Sequence, residues 1–175
     1  MLKRYEKFLV EFDKKLNGLT QTQLKYLKCK KGCAYCCKNG DYPFSRLEME
    51  YFMAGFQSLS KDIKDQVLEN INNAKGKKVY ECPFLINNMC SMYERRSLTC
   101  RIHGLAYLLN DVIKLPECAN IGFNYSDFYN QQTKEIVIEN PIKESLRIDD
   151  IFNSKLAQDF NLQSGEIRSL IDWFK

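Results

Sequence analysis

The sequence predicts a mainly α fold with short irregular and β-hairpin segments, a small helical domain organised around a cysteine metal centre. Three observations carry that expectation. Apolar residues recur every three or four positions toward both ends of the chain. The middle loses that period and breaks into short elements. Eight cysteines, moreover, fall largely in clusters. At 175 residues and 45% hydrophobic, the chain is long enough for one domain with a real core and needs no disulfides as a substitute.

Each element follows from its residues. Leu2, Tyr5, Leu9, Phe12 and Leu16 share one face, so residues 2–16 read as an amphipathic helix that Asn17-Gly18 ends. A second helix is expected to carry Leu24 and Leu27 into the cysteines. In "SRLEMEYFMAGFQSL", Ser45 and Glu48 stand at capping-box spacing. Met49, Phe52, Met53 and Phe56 then form a helical stripe, read as core. Ser60 caps a further helix with Ile63, Val67, Ile71 and Ala74 inward, until "KGKK" breaks the pattern.

From Tyr80 to Leu115 short elements dominate. "AYLLNDVIKL" reads as two strands around an Asn110-Asp111 turn, and "TKEIVIE" as one more strand. Asn140-Pro141 opens a helical tail over about 140–175. Ile148, Ile151, Phe152 and Leu156 share one face of it, and a last helix after Ser164 buries Ile167, Leu170, Ile171 and Phe174. The reading is a single domain, 1–175, whose cysteine core spans about 25–125.

Charge and composition exclude several classes. Residues 1–40 hold ten Lys or Arg against three Asp or Glu, while the remainder holds sixteen against nineteen. The basic N-terminal residues are interleaved with an amphipathic pattern and read as a solvated helix face. No basic recognition helix or aromatic-and-arginine sheet is visible, which argues against nucleic acid. No run approaches the roughly 18 apolar residues that span a membrane. "MLKRYEKFLVEFDKKL" scatters charge where a signal peptide is apolar, so the expectation is a cytoplasmic protein with reduced thiols. A protein partner stays open.

Clustered reduced cysteines point to metal. "CKKGCAYCCK" carries Cys29, Cys33, Cys36 and Cys37; Cys82, Cys90, Cys100 and Cys118 follow after gaps of 44, 7, 9 and 17 residues. Thiolates suit Zn²⁺ in a four-thiolate site, or iron in a sulfide cluster. Zinc ribbons usually show two C-x2-C knuckles and this chain has one, Cys33–Cys36, which leans toward iron–sulfur. Eight thiols suffice for one centre or two. The C-x3-C-x2-C spacing of Cys29, Cys33 and Cys36 also occurs in S-adenosylmethionine radical enzymes. Those need a β/α barrel of at least about 200 residues, and no β-α alternation follows here.

"CAYCC", then "CPFLINNMCSMYERRSLTCR", then Cys118, resembles the YkgJ-type cysteine-cluster family of zinc- or iron-chelating domains. The matching positions are Cys33, Cys36, Cys37, Cys82 to Leu85, Cys90, Tyr93, Arg96, Cys100 and Arg101. Ser97 stands where that family usually has proline, and Cys29 lies outside the shared core. The resemblance implies metal chelation and supplies no catalysed reaction. A related cysteine-rich domain occurs in flagellin lysine methylases, which opens an enzyme reading: a cluster-dependent methyl-transfer, redox or maturation factor. No glycine-rich phosphate or adenine loop supports it. An adaptor with a structural zinc is the other alternative.

Single residues are weighed in the same way. His103, three residues after Cys100, either completes a three-thiolate site or is a structural histidine beside Gly104. Arg96 and Arg101 either donate to sulfur or form ion pairs with Glu94 or Glu117. Tyr93 is expected to pack over the cluster, and Trp173 to serve the core or a partner. Mass spectrometry after alkylation, under denaturing and metal-chelated conditions, is expected to label most of the eight thiols. Native disulfides throughout freshly made protein would sink the metal reading.

Overall fold

The computed structural model describes residues 1–30, 32–40, 42–136, 146–147 and 151–175. Its helices are α1 (Leu2–Gln23), α2 (Tyr35–Lys38), α3 (Arg46–Phe56), α4 (Lys61–Ala74), α5 (Leu98–Ile102) and α6 (Lys155–Asp159). Its strands are short: β1 (Pro43–Ser45), β2 (Leu85–Ile86), β3 (Met89–Cys90), β4 (Tyr107–Leu109), β5 (Val112–Lys114), β6 (Tyr129–Asn130), β7 (Glu135–Ile136), β8 (Leu146–Arg147) and β9 (Ile167–Ser169). The expected mainly helical class with small β segments is what the chain adopts. Two compact units emerge: residues 1–2, 32–101 and 163–175 in one, residues 3–31 and 102–162 in the other.

The first unit is built on α3 and α4. Ser45 and Glu48 form the expected capping box at the start of α3. The stripe behaves as core, with Met49, Phe52 and Phe56 buried and Met53 partly so. From α4, Val67, Ile71 and Ala74 are buried and Ile63 packs at the margin. Ser60 occupies the cap position of α4 but makes no side-chain cap bond. Phe84 is fully buried, 4.5 Å from the Phe52 ring and 5.9 Å from Phe56, both edge-on. Edge-to-face packing of this kind adds to simple area burial.

The C-terminal residues of this unit depart from expectation. Residues 167–169 form β9, antiparallel to β1, and residues 170–174 make a 3₁₀ turn in place of a last helix. Leu170 and Ile171 are buried as expected, but Ile167 is 62% exposed. The reason is a helix start elsewhere. The first N–H groups of a helix have no partner inside it, and here Arg46 N donates to Glu166 O at 2.8 Å and Leu47 N to Ser164 O at 3.1 Å. The chain that presents those carbonyls, a turn through Gly165, leads directly into β9, which pairs with β1. Gly165 between them has φ +71°, and a Cβ there would lie 2.9 Å from Arg46 Cβ. Trp173 belongs to the core, its indole N–H donating to Phe44 O at 3.2 Å.

In the second unit, α1 runs through Asn17-Gly18 to Gln23. A mid-helix glycine costs about 1 kcal/mol, and the far end of the helix offsets it. Gln23 is 1% exposed, and its Oε1 accepts from Tyr125 OH at 2.5 Å and Ala106 N at 3.1 Å. After Gln23 there is a single 3₁₀ turn, Leu24–Tyr26, instead of the expected second helix, and Leu24 is exposed. The β4–β5 hairpin is as expected, with Asn110 and Asp111 at φ 50° and 61°. Such left-handed pairs match the twist of the flanking strands. β8 adds to β4 in parallel.

Within "TKEIVIE", Glu135–Ile136 pairs with Tyr129–Asn130, while residues 137–139 lie outside the described residues. Asn140, Pro141 and Ile148 lie outside them too. The expected helical tail is reduced, among the described residues, to the one turn of α6, capped by Ser154. No helix among them is long and apolar enough to cross a membrane.

Glu48 does more than its spacing announces. Its Oε2 accepts from Ser45 N and Oγ at 2.8 and 2.7 Å, and its Oε1 accepts from Leu98 N at 2.8 Å, the first residue of α5. Burial pushes its carboxyl above the usual range, against the pull of these donors. Removing it strands three buried donors. Glu48→Ala is therefore expected to cost about 3 kcal/mol, read from the urea midpoint, against about 1 kcal/mol for Ser45→Ala. Equal losses would mean that the bond to Leu98 contributes nothing.

Candidate metal centre

All eight cysteines are free thiols. The first unit holds Cys33, Cys36, Cys37, Cys82, Cys90 and Cys100. Three local structures bring four of them together. α2, one turn long, carries Cys36 and Cys37. Its end is tied to the C-P-F-L segment by the backbone, Cys82 N donating to Cys37 O at 2.7 Å, and Gly40 bridges Tyr80 just beyond. Cys82 in turn precedes the β2–β3 hairpin, in which Leu85 faces Cys90. Asn87 and Asn88 make its two-residue turn at φ 51° and 58°. The Phe84 plug locks this segment into the core.

Cys100 arrives on α5, and Ser97 explains how. Ser97 is 1% exposed. Its Oγ accepts from Cys100 N at 3.2 Å and its carbonyl from Arg101 N at 3.0 Å. It is thus the helix cap. Where the resembled family has a proline to stiffen this turn, the serine holds it by hydrogen bonds.

The four thiols sense one another. Burial first, then the charge of Cys100, raises Cys82 well above the usual thiol range; Cys37 and Cys90 add to it. Burial pushes Cys100 up to about 12, with Cys37 and Cys90 contributing. Cys37 is raised by burial and by Cys90, and Cys90 by burial. Working the other way are donors aimed at sulfur: the Phe84 N–H at Cys82, the Met92 N–H at Cys90 and the Ser97 hydroxyl at Cys100. The Arg96 charge favours the thiolates of Cys37 and Cys90. Half-buried sulfurs that repel one another as anions, with neighbours that favour the anion, are the donor set a thiophilic cation satisfies. Among the described residues, no three Cys, His, Asp or Glu side chains are arranged to hold one ion as they stand. Coordination therefore requires side-chain rotation within the cluster.

The remaining expected residues fall as follows. Cys33 is exposed, and its charge acts on Cys37; Cys36 is half-buried, its carbonyl accepting from Tyr42 OH at 3.1 Å. Tyr93 does not pack over the cluster. It is 56% exposed, with the Arg96 guanidinium 3.5 Å above its ring and Arg96 Nε donating to its carbonyl. Arg101 donates to the carbonyls of Glu94 and Arg96 and so braces the chain before α5.

Cys29, Cys118 and His103 belong to the second unit. His103 is exposed and Cys118 buried. Asn124 is 1% exposed. Its Nδ2 donates to Cys29 Sγ at 3.2 Å and Gly104 O at 2.7 Å, and its Oδ1 accepts from Lys28 N at 2.7 Å. Gly104, at φ +93°, leaves room for the sulfur, since a Cβ would stand 3.0 Å from it. Both Cys29 and Cys118 bear on Tyr125, whose hydroxyl is raised chiefly by burial.

Sequence reasoning missed Glu48 and Ser97 as props of Cys100, and Asn124 as the partner of Cys29. The pattern S-x-x-C at 97–100 is an overlooked cap signal, whereas nothing local marks Asn124.

The family model described as "CxxCxxCC: Putative zinc- or iron-chelating domain" matches residues 28–135, and the chain belongs to this family. Cys29, which the resemblance placed outside the shared core, lies inside the matched range. Three residues separate it from Cys33, where the family's name writes two. No curated protein and no solved structure matches the chain.

Metal-free, reduced protein is expected to lose stability as pH rises. The unfolded thiols ionise near 9.0, whereas the folded ones hold their protons longer, Cys100 to about 12. Their contribution is complete below pH 9 and is lost as pH climbs toward 12. Melting temperature followed from pH 7 to 11 should fall, and Cys100→Ser should flatten the slope. An unchanged slope in that variant contradicts the burial assigned to Cys100.

Proposed function

We propose, with membership in a zinc- or iron-chelating family as the premise, that this chain is a metal-binding protein whose centre is built on Cys37, Cys82, Cys90 and Cys100. The observation that carries it is the group of four half-buried thiols close enough to oppose one another's ionisation. Cys33 and Cys36, next to them in sequence, are the reserve ligands. Cys29 and Cys118 complete the set of eight expected from the sequence.

The group such a site takes supplies Lewis acidity or, as iron–sulfide, electron transfer. This chain's residues do the holding. The Phe84 and Met92 amides and the Ser97 hydroxyl steady sulfur as anion, and Arg96 offsets charge. Four thiolates about Zn²⁺, or about a [4Fe–4S]²⁺ cluster, leave a formal charge of about −2, so charge does not choose between them. Six thiols in one unit exceed what one zinc needs. That favours iron–sulfur. Among the described residues, no arrangement recommends a catalysed reaction over chelation alone.

The test is protein purified without air. It should be brown, with a broad shoulder near about 400 nm that bleaches in air. Cys82→Ser and Cys100→Ser should lose most of the metal and open residues 82–100 to protease, while Cys29→Ser loses less. Colourless protein with stoichiometric zinc replaces the iron–sulfur reading with a structural zinc module. Protein with no metal, whose variants all resemble the parent, overturns the centre itself.

A further inference from the structure

A cleft of about 360 Å³ lies in the same unit, and Cys82 alone of the cysteine group lines it. Cys82 forms part of its wall, together with Lys38, Asn39, Asn70, Asn73, Lys77 and Glu81. Ordinary small-molecule pockets are mostly apolar. This one, though Ala74, Val79 and Tyr80 also line it, carries two ammonium groups, three amides and one carboxylate, so it suits a charged, hydrated guest. Asn70 is partly committed, its Nδ2 donating to Pro83 O at 3.1 Å, which fixes that wall against the Cys82 segment.

The electrostatics narrow the guest further. Metal must approach thiols that are deprotonated as they bind, and a bare divalent cation would be drawn to them. Yet the cleft beside Cys82 carries Lys38 on the end of α2 and Lys77 just after α4, which repel a cation on its way in. The same two charges attract an anion. Amides offer both donors and acceptors to carboxylate and hydroxyl oxygens. The volume holds a molecule of several carboxylates.

We propose that the cleft receives metal as an anionic polycarboxylate chelate and hands it to the cluster through Cys82. The proposal rests on the chelation reading above, in its form of a single metal ion held by thiolates, and names the form in which that ion arrives. The transfer is a ligand exchange. As each metal–sulfur bond forms, the thiol releases its proton to solvent, and a carboxylate oxygen leaves the metal with its electron pair. No electron changes hands. Lys38 and Lys77 then hold the departing carboxylates, and the Glu81 carboxylate in the same wall repels the freed chelator.

The test uses the full chain, metal-free and reduced, with Co²⁺ as the probe and thiolate-to-cobalt charge-transfer absorption as the readout. Co²⁺ is given either as the aquo ion or as its citrate complex. From citrate, the loading rate should saturate with complex concentration. Lys38→Glu/Lys77→Glu should slow it about tenfold, while loading from the aquo ion stays equal or quickens. Asn73→Leu, which narrows the cleft without altering charge, should also slow the citrate route alone. A citrate rate that rises linearly and is unchanged in both variants overturns the proposal and leaves chelation standing. Failure to take up aquo Co²⁺ at all overturns the chelation reading, and this one with it.

Discussion

A single buried carboxylate holds two helix beginnings at once. Glu48 closes the capping box with Ser45 at the start of α3 and accepts from Leu98 N at the start of α5, fifty residues later. Orphan N–H groups at a helix start must find partners, and a buried charge must find donors. Each requirement here is met by the other. Ser97, one residue before Leu98, is thereby placed to cap Cys100, so the position of that thiol descends from Glu48 through two hydrogen bonds. The turn before the C-terminal strand serves the same end, Ser164 and Glu166 supplying carbonyls to Leu47 and Arg46.

The thiols present the converse problem. Burial among aromatic residues pushes them toward the neutral form, while donors from Phe84, Met92 and Ser97 and the charge of Arg96 pull toward the anion. A group kept between those pressures is stable as a thiol and ready as a ligand. Metal affinity then varies with pH because each ligating sulfur must give up its proton. Tyr42 registers the same crowding, its ionisation opposed first by burial and then by the charges of Cys82, Cys37 and Cys100. Its hydroxyl donates to Cys36 O and so stays protonated.

Much of this was legible from local pattern. Ser45 and Glu48 announced α3, the Met49–Phe56 stripe announced its buried face, and Asn110-Asp111 announced a hairpin. These are short-range rules in which neighbours in sequence are neighbours in space. Where they failed, a distant partner had overridden them. Gly18 did not stop α1 because Gln23 is held by Ala106 and Tyr125. Residues 167–169 have helical spacing yet lie extended because Pro43–Ser45 needed a strand beside it. Tyr93, expected over the cluster, faces Arg96 instead.

By itself the sequence determined the chemistry available: eight thiols, clustered at 29–37 and spread over 82–118, in a family described as a zinc- or iron-chelating domain. It determined the helices that make the first unit's core, since amphipathic period and caps act within a few residues. Tertiary structure alone decided which thiols share surroundings. Cys37 meets Cys82 through one backbone hydrogen bond across 45 positions, and Cys100 joins them because Glu48 and Ser97 hold the start of its helix. Cys29, four residues from Cys33 in the chain, is instead cradled by Asn124 and Gly104. Spacing counts residues along a chain, whereas ligation depends on distances that only packing and long-range hydrogen bonds can set.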